Sequence, residues 1–228
     1  MATTIIVSYD GTDSDRDALA LGSLLTRAGA ALELAYVRHA HEAESGRERL
    51  AEHEAEALLA AGAAAAGDPG LPCHVILSGS TAEGLRDLAL EREADMIVFG
   101  SEYRTAPGHV DPQASARRLL DGGPVAVGLA PAGFAEKAGP EIATILAVDE
   151  EGDPCPRETA ESLAGKLGAT VAPQASRNVD LLVVGSKPGT VTGRVTVSAA
   201  AAYVVELATC PVLVLPRGVA IHFNGGAG

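Results

Sequence analysis

Two glycine–serine pairs are the residues of this sequence best suited to bind an anion. Gly100-Ser101 follows the apolar run "DMIVF", and Gly185-Ser186 follows the similar run "DLLVV". Glycine lets a ligand approach the backbone closely, and the amide groups of such a turn and of a following helix carry partial positive charge. The pattern therefore indicates phosphate binding at the carboxyl end of a central strand.

Aspartates follow an earlier predicted strand in each half of the chain. "TIIVSYDGT" near the start is similar to "TILAVDEEG" from Thr144, and this match aligns Asp10 with Asp149. Each carboxylate fits two roles. It could hold a ribose or a metal-bridged phosphate, or it could form the strand-to-helix turn and cap the following helix. The sequence leaves both roles open.

These matches belong to an internal repeat, because a third pair, "GPVAVGLAP" and "CPVLVLPRG", follows in the same order. In the first copy Asp10 and Asp95 lie 85 residues apart, whereas in the second copy Asp149 and Asp180 lie 31 apart. The second copy is therefore expected to lack 54 residues, which correspond to a long helix, an edge strand and a further helix.

The elements that position these residues alternate along the first copy. Runs that are apolar throughout alternate with segments of helical period, which predicts a parallel sheet covered on both faces. "STAEGLRDLALE" begins with a capping box, Ser80 with Glu83. The predicted strands are 5–8, 31–37, 74–77, 95–100 and 125–130, with helices at 12–28, 42–66, 80–91 and 115–120; the second copy keeps a strand at 145–148, a helix at 157–167, a short strand at 169–173 and the strand after Asp180.

Taken together, "IIVSYDGTDSDRDAL", "ADMIVFGS", "VDLLVVGS" and "CPVLVLPRG" resemble the universal stress protein (UspA-like) family in its tandem two-domain form. The resemblance implies a Rossmann-like α/β fold with strand order 3-2-1-4-5. It also implies that the two copies pair as a pseudo-twofold intrachain pair, with 125–129 adjacent and antiparallel to 212–215. The expected division is a complete domain at 1–133, a linker at 134–141, a shortened domain at 142–218 and a flexible tail at 219–228.

The resemblance also assigns ligand positions. In nucleotide-binding relatives the aspartate after strand one and the end of strand two, here Asp10 and Val37, lie near the adenosine. A loop of the form G-x-x-G, nine residues, then G-S or G-T wraps the phosphates, and it would begin at Gly100 and Ser101. The first copy departs from this pattern, because Tyr103 stands at the second glycine and no glycine–serine pair precedes the next helix.

The second copy keeps more glycine in the corresponding loop. The candidate ligand residues there are Asp149, Gly185, Ser186, Gly189, Gly193 and Ser198. The spacing differs from the family pattern, and Ser198 with the following alanine replaces the closing pair.

We therefore expect a non-catalytic, cytoplasmic stress-response or regulatory protein that acts through protein contacts and needs no cofactor. The alternative is an ATP- or AMP-binding sensor that uses the loop from Gly185 to Ser198. A hydrolase is a third class, but no Ser-His-Asp set, nucleophile elbow or P-loop is legible. His39, His41 and His53 are interpreted as surface histidines, because their spacing does not make them converge on a metal.

Composition excludes several classes of partner. The net charge is −13, from 17 basic and 30 acidic side chains, so a nucleic acid backbone would be repelled. No apolar run approaches the roughly 20 residues of a membrane-spanning helix, and the N-terminus is expected to be mature sequence. The three cysteines, Cys73, Cys155 and Cys210, do not form a full disulfide set and favour a reducing compartment. Protein partners, including a second copy in a homodimer, stay open.

Overall fold

A computed structural model describes residues 2–39, 45–137, 141–173, 176 and 178–223, with the backbone alone described for 45–51. Within these residues no helix has the length and apolar character needed to cross a bilayer. The strands are β1 (Thr4–Ser8), β2 (Ala31–His39), β3 (Cys73–Ser78), β4 (Met96–Phe99), β5 (Ala126–Leu129), β6 (Thr144–Val148), β7 (Thr170–Val171), β8 (Leu181–Val184) and β9 (Val212–Val214). The helices are α1 (Asp13–Thr26), α2 (Ser45–Ala65), α3 (Thr81–Glu91), α4 (Ala114–Leu120), α5 (Cys155–Leu167) and α6 (Ala199–Glu206), with a 3-10 turn at Phe134–Glu136.

All nine strands form one sheet in the order β3-β2-β1-β4-β5-β9-β8-β6-β7. Pairing is parallel within β3 to β5 and within β9 to β7, and antiparallel where β5 meets β9. The order 3-2-1-4-5 predicted for the first copy is confirmed. The expected antiparallel contact between the last strands of the two copies is confirmed as well.

The register shows how the two halves correspond. At the central ladder Val127 pairs with Val214, Leu129 with Val212, and Gly128 with Leu213. The parallel ladders fix the correspondence: Ile97 pairs with Val127, and Leu182 pairs with Val212. With Asp95 equivalent to Asp180, equivalent residues in this part of the two halves therefore differ by 85 in number. The sequence match of the third segment, which began from Gly123 and Cys210, was therefore wrong by two residues. Gly123-Pro124 and Cys210-Pro211 are similar in sequence, but they do not occupy equivalent positions in the two halves.

The residues that follow the first strands of the two halves also correspond differently from the sequence match. The carboxylate of Asp95 accepts a hydrogen bond from the Thr4 amide at 2.9 Å, and Asp180 accepts one from the Thr144 amide at 2.9 Å. These equivalent pairs make Glu150, and not Asp149, the counterpart of Asp10. The pairs are 91 and 36 residues apart in sequence, so the second half has 55 fewer residues in this interval instead of the expected 54.

Apolar side chains pack on both faces of the sheet, which explains why the strands are apolar throughout. One face buries Ile5, Val7, Met96, Ile145 and Leu181 beneath α1, α2 and α5. The other buries Ile6, Ile97, Phe99, Val184 and Val212 beneath α3, α4 and α6. Because both halves contribute to both layers, the core continues through the β5–β9 junction.

The expectation of a flexible tail from residue 219 was wrong as far as residue 223. Phe223 is fully buried and Ile221 is 3 % exposed. Their backbone amides donate to Ser162 Oγ at 2.8 Å and Thr159 Oγ1 at 2.9 Å on α5. Two large apolar side chains outweigh the chain entropy that the nearby glycines add; residues 224–228 lie outside the described part.

The segment expected to be a linker begins with an ordered turn. The buried carboxylate of Asp17 on α1 accepts hydrogen bonds from the amides of Gly133 and Ala135, both at 2.8 Å, and Phe134 is buried. Residues 138–140 lie outside the described part, and the division of the chain into separate domains stays a prediction.

Candidate functional site

A cleft of about 850 Å³ lies at the carboxyl ends of the first-half strands. It opens at the junction between the paired strands β1 and β4, because β2 and β3 extend the sheet on one side of this pair and β5 extends it on the other. Ligands commonly bind at such a switch point in open α/β sheets. The first residues of α1, α3 and α4 all face it. The lining comprises Asp10–Ser14, His39, Gly79–Ala82, Glu102, Tyr103, Gln113–Ser115 and Arg118.

The turn that enters α1 is held by two aspartates. Asp15 is 4 % exposed, and its Oδ2 accepts hydrogen bonds from the amides of Asp10 and Gly11. Asp10 Oδ1 accepts from the Thr12 amide at 3.0 Å. The turn-forming role considered for Asp10 is therefore present, and the same carboxylate also lines the cleft.

The two carboxyl groups titrate in opposite directions. Burial, together with the contact to Asp10, raises the pKa of Asp15 to about 8. Burial also acts to raise the pKa of Asp10, but its hydrogen bonds with Asp15 and Thr12 outweigh burial and leave that pKa below its ordinary value. At neutral pH the pair therefore shares one proton, carried by Asp15, and Asp10 bears the negative charge.

Gly100 is required by chain packing. A Cβ on Gly100 would lie 1.9 Å from the carbonyl oxygen of Ser14, in the first turn of α1. The equivalent Gly185 is less confined, because a Cβ there would first meet Pro156 Cγ at 2.9 Å. Gly100 thus lets helix α1 reach the end of β4.

Ser101 and Ser186 are both buried and make the same contacts. Ser101 Oγ donates to the carbonyl oxygen of Ala130 at 2.7 Å, and Ser186 Oγ donates to that of Leu215 at 2.7 Å. Each serine oxygen also accepts from the amide ten residues further along the chain. Both hydroxyls are thus used in closing the loop after β4 or β8.

The first-half cleft has a charge distribution that opposes a triphosphate. Among the lining residues that the structure describes, the carboxylates Asp10, Asp13 and Glu102 face one guanidinium, that of Arg118. Tyr103 occupies the position of the missing glycine, is 80 % exposed and stacks under Arg104. The described part of the lining therefore carries net negative charge.

In the second half, the chain's own side chains occupy the corresponding position. Ser198 Oγ donates to Glu150 Oε1 at 2.6 Å and caps α6 by accepting from the Ala201 amide at 3.0 Å. Because Glu150 is the counterpart of Asp10, this contact joins the acid after the first strand to the start of the last helix. Arg217 adds bonds to the carbonyls of Ser186 and Glu151.

The remaining second-copy candidates, Gly189, Gly193 and Asp149, do not take part in the contact between Ser198 and Glu150. Gly189 and Gly193 adopt positive φ of 81° and 79°, which explains why glycine is present at both turns. The Gly193 amide donates to the carbonyl of Arg217 at 2.8 Å. Asp149 pairs with Arg157 at 3.1 Å, so the structure does not bring Asp149 together with Ser198.

Val37 does not line the cleft. Strand β2 continues two residues further than predicted, so His39 reaches the cleft, and Val37 is 8 % exposed and packs beneath α3. Of the other histidines considered as ligands, His53 lies on α2 near Glu56, and His41 lies outside the described residues.

Sequence reasoning missed Asp15, although a signal was present. Asp15 lies three and seven positions before Ala18 and Gly22, on the stripe of α1 that faces the sheet. A carboxylate on an apolar stripe is a buried acid that needs partners. No sequence pattern indicated that the start of α3 and Arg118 would line the cleft. These residues lie on separate helices, and the order of the strands brings them together.

Comparisons with known proteins agree with this architecture. Residues 1–110 match the model of the universal stress protein family. A universal stress protein of Archaeoglobus fulgidus DSM 4304 is similar in structure over 94 % of this chain and 98 % of its own, with a TM-score of 0.72 and 12 % identity. A Pseudomonas aeruginosa UCBPP-PA14 protein assigned to the universal stress proteins aligns over 95 % and 94 %, with a TM-score of 0.57 and 14 % identity. No curated protein sequence matches the chain.

Proposed function

We propose that this chain, whose residues 1–110 match the model of the universal stress protein family, is a non-catalytic regulator that acts through protein contacts. Its two halves would form the tandem pair within one chain, and neither half would bind ATP. Three free cysteines support a reducing, cytoplasmic location.

The observation that carries this proposal is the contact between Ser198 and Glu150 at 2.6 Å. A phosphate at the start of α6 would need the same backbone and hydroxyl donors, and it would meet a carboxylate there. Arg217, which contacts the Ser186 carbonyl at the start of the loop before α6, is paired with Asp153 at 3.7 Å and also bonds to the Glu151 carbonyl. The alternative sensor that uses the loop from Gly185 to Ser198 is therefore disfavoured.

A second candidate function is the binding of AMP in the first-half cleft. The volume of about 850 Å³ favours it, because ligand pockets commonly have 300–1,000 Å³. A monophosphate brings less negative charge to Asp10, Asp13 and Glu102 than a triphosphate does. In this candidate Arg118 would be the phosphate partner.

Isothermal titration calorimetry with ATP and AMP, each with and without Mg²⁺, tests these proposals. The first proposal predicts no saturable heat for either nucleotide. Saturable AMP binding that is lost in Arg118→Glu and kept in Gly189→Val would establish the second candidate. Saturable ATP binding that is lost in Gly189→Val and kept in Arg118→Glu would contradict the proposal that the second half is closed to nucleotides. Each variant is the control for the other, because the two positions lie in different halves.

A further inference from the structure

One apolar face of the second half has no covering helix in the part of the chain that the structure describes. It lies on the side of the sheet where α3 and α4 pack in the first half and where, among the described residues, α6 is the one helix that packs in the second. We propose that this face docks an amphipathic helix of a partner protein. The inference rests on the proposed function through protein contacts and specifies the partner's chemistry.

The first half shows what normally covers this position. Helix α3 packs against β2, β3, β4 and α4. Its buried stripe has alanine and leucine at spacings of three and four residues: Ala82, Leu85, Leu88 and Ala89. The stripe joins the same core cluster as Ile6, Ala94 and Leu119.

The equivalents of these covered residues are more exposed in the second half. Ile6, Ala94 and Leu119 are 0 %, 6 % and 3 % exposed. By the correspondence of the two halves, their counterparts are Leu146, Val179 and Val204, and all three are partly exposed. The second half therefore kept apolar side chains at these positions without a helix in the described residues to bury them.

Helix α6 extends this apolar surface. Tyr203 is 63 % and Leu207 60 % exposed, one helical turn apart on the same side. Tyr203 corresponds to Arg118, which lines the first-half cleft beside the start of α3. An arginine suits a cleft open to water, whereas a tyrosine and a leucine suit a covered surface. We call the set Leu146, Val148, Val179, Tyr203, Val204 and Leu207 the open face.

The occupant that fits the open face is a helix with the stripe of α3 on one side and basic residues on the other. A stripe like that of α3 should fit, because the equivalent surface of the first half packs against α3. A net charge of −13 favours a basic partner and disfavours a second copy of the chain, since two copies repel each other. The copy's own α3 is also unavailable, because its stripe is buried in the first half.

A synthetic peptide tests the proposal with the full chain. The probe is a fluorescein-labelled peptide of residues 79–93 that keeps the stripe and carries Glu83→Lys, Asp87→Lys and Glu91→Lys. Fluorescence anisotropy should show saturable one-to-one binding to the wild type. Tyr203→Asp and Leu207→Asp should each weaken binding at least about tenfold. Both side chains are exposed, so the variants should remain folded, which circular dichroism checks.

Leu90→Asp is the matched control, because Leu90 is 56 % exposed but lies on the outer side of α3. Binding should be unchanged in this variant. Absence of saturation, or equal binding by wild type and Tyr203→Asp, would overturn the proposal. A wild-type dimer in sedimentation that Tyr203→Asp dissociates would overturn it in favour of a second copy. Nucleotide calorimetry is independent of all these results, so failure of the docking inference is distinguishable from failure of the proposed function.

Discussion

Gly128 of β5 and Leu213 of β9 pair at the centre of the sheet, on the pseudo-twofold axis that relates the two halves. They are equivalent positions, yet one has no side chain and the other is a fully buried leucine. A Cβ on Gly128 would lie 2.9 Å from Val98 Cγ2 and 3.2 Å from Met96 Sδ. Two identical chains could not place different residues on their axis, whereas a single chain with two halves can.

Substitution of Gly128 should therefore destabilise the whole sheet. We expect Gly128→Val to lower the free energy of unfolding by about 1–3 kcal/mol, the usual cost of overpacking a core. Urea unfolding followed by circular dichroism measures this loss. Gly165→Ala on α5 is the control: nothing lies within 4 Å of a Cβ there, so this change should raise stability by about 0.5–1 kcal/mol. Equal effects of the two changes would contradict the packing account.

The two strand-end glycines should differ in their tolerance of alanine. At Gly100 a Cβ would strike the Ser14 carbonyl, which is backbone and cannot rotate away, whereas at Gly185 it would meet a proline ring edge. Gly100→Ala should cost more stability than Gly185→Ala, by about 1 kcal/mol or more. Thermal or urea unfolding of both variants gives the comparison. A larger loss in Gly185→Ala would contradict the close approach of α1 to β4.

Stability should depend on pH through Asp15. The folded state keeps Asp15 protonated up to a pKa of about 8, whereas in the unfolded chain the group ionises near its ordinary value of 3.8. Its contribution to the free energy of unfolding is therefore full below about pH 4 and is lost as pH rises toward 8. Asp15→Asn removes this titration while keeping an oxygen acceptor for the two amides. The stability of the variant relative to wild type should rise between pH 5 and pH 8 in urea unfolding; a difference that does not change with pH would contradict this assignment.

The C-terminal anchor should contribute measurably to the core. Phe223→Ala should lower the free energy of unfolding by about 3–5 kcal/mol, as expected for a fully buried phenylalanine. Val219→Ala, at a position 39 % exposed, should have a much smaller effect. Hydrogen exchange of the α5 amides should accelerate in the first variant only. Similar, small losses in both variants would mean that the tail does not anchor to α5.

The strand order and the pairing of the two halves were implied by the resemblance to the universal stress protein family. Local patterns predicted the strands and most helices, because apolar runs and helical periods determine which segments are buried. They predicted equivalence between the halves less well. Asp149 resembled Asp10 by residue type, but the strand pairing places Glu150 there, as an ungapped match of the two segments from Thr4 and Thr144 also does. The contact between Ser198 and Glu150 joins residues 48 positions apart. No local pattern contains such a contact.

A crystal structure determined with excess ATP and Mg²⁺ tests most directly whether the second half is closed by its own side chains. We predict that Ser198 Oγ keeps its contact with Glu150 and that no nucleotide density lies between Gly185 and Ser198. Phosphates bound to the backbone at Gly189 and Gly193, with Glu150 turned away, would contradict this prediction.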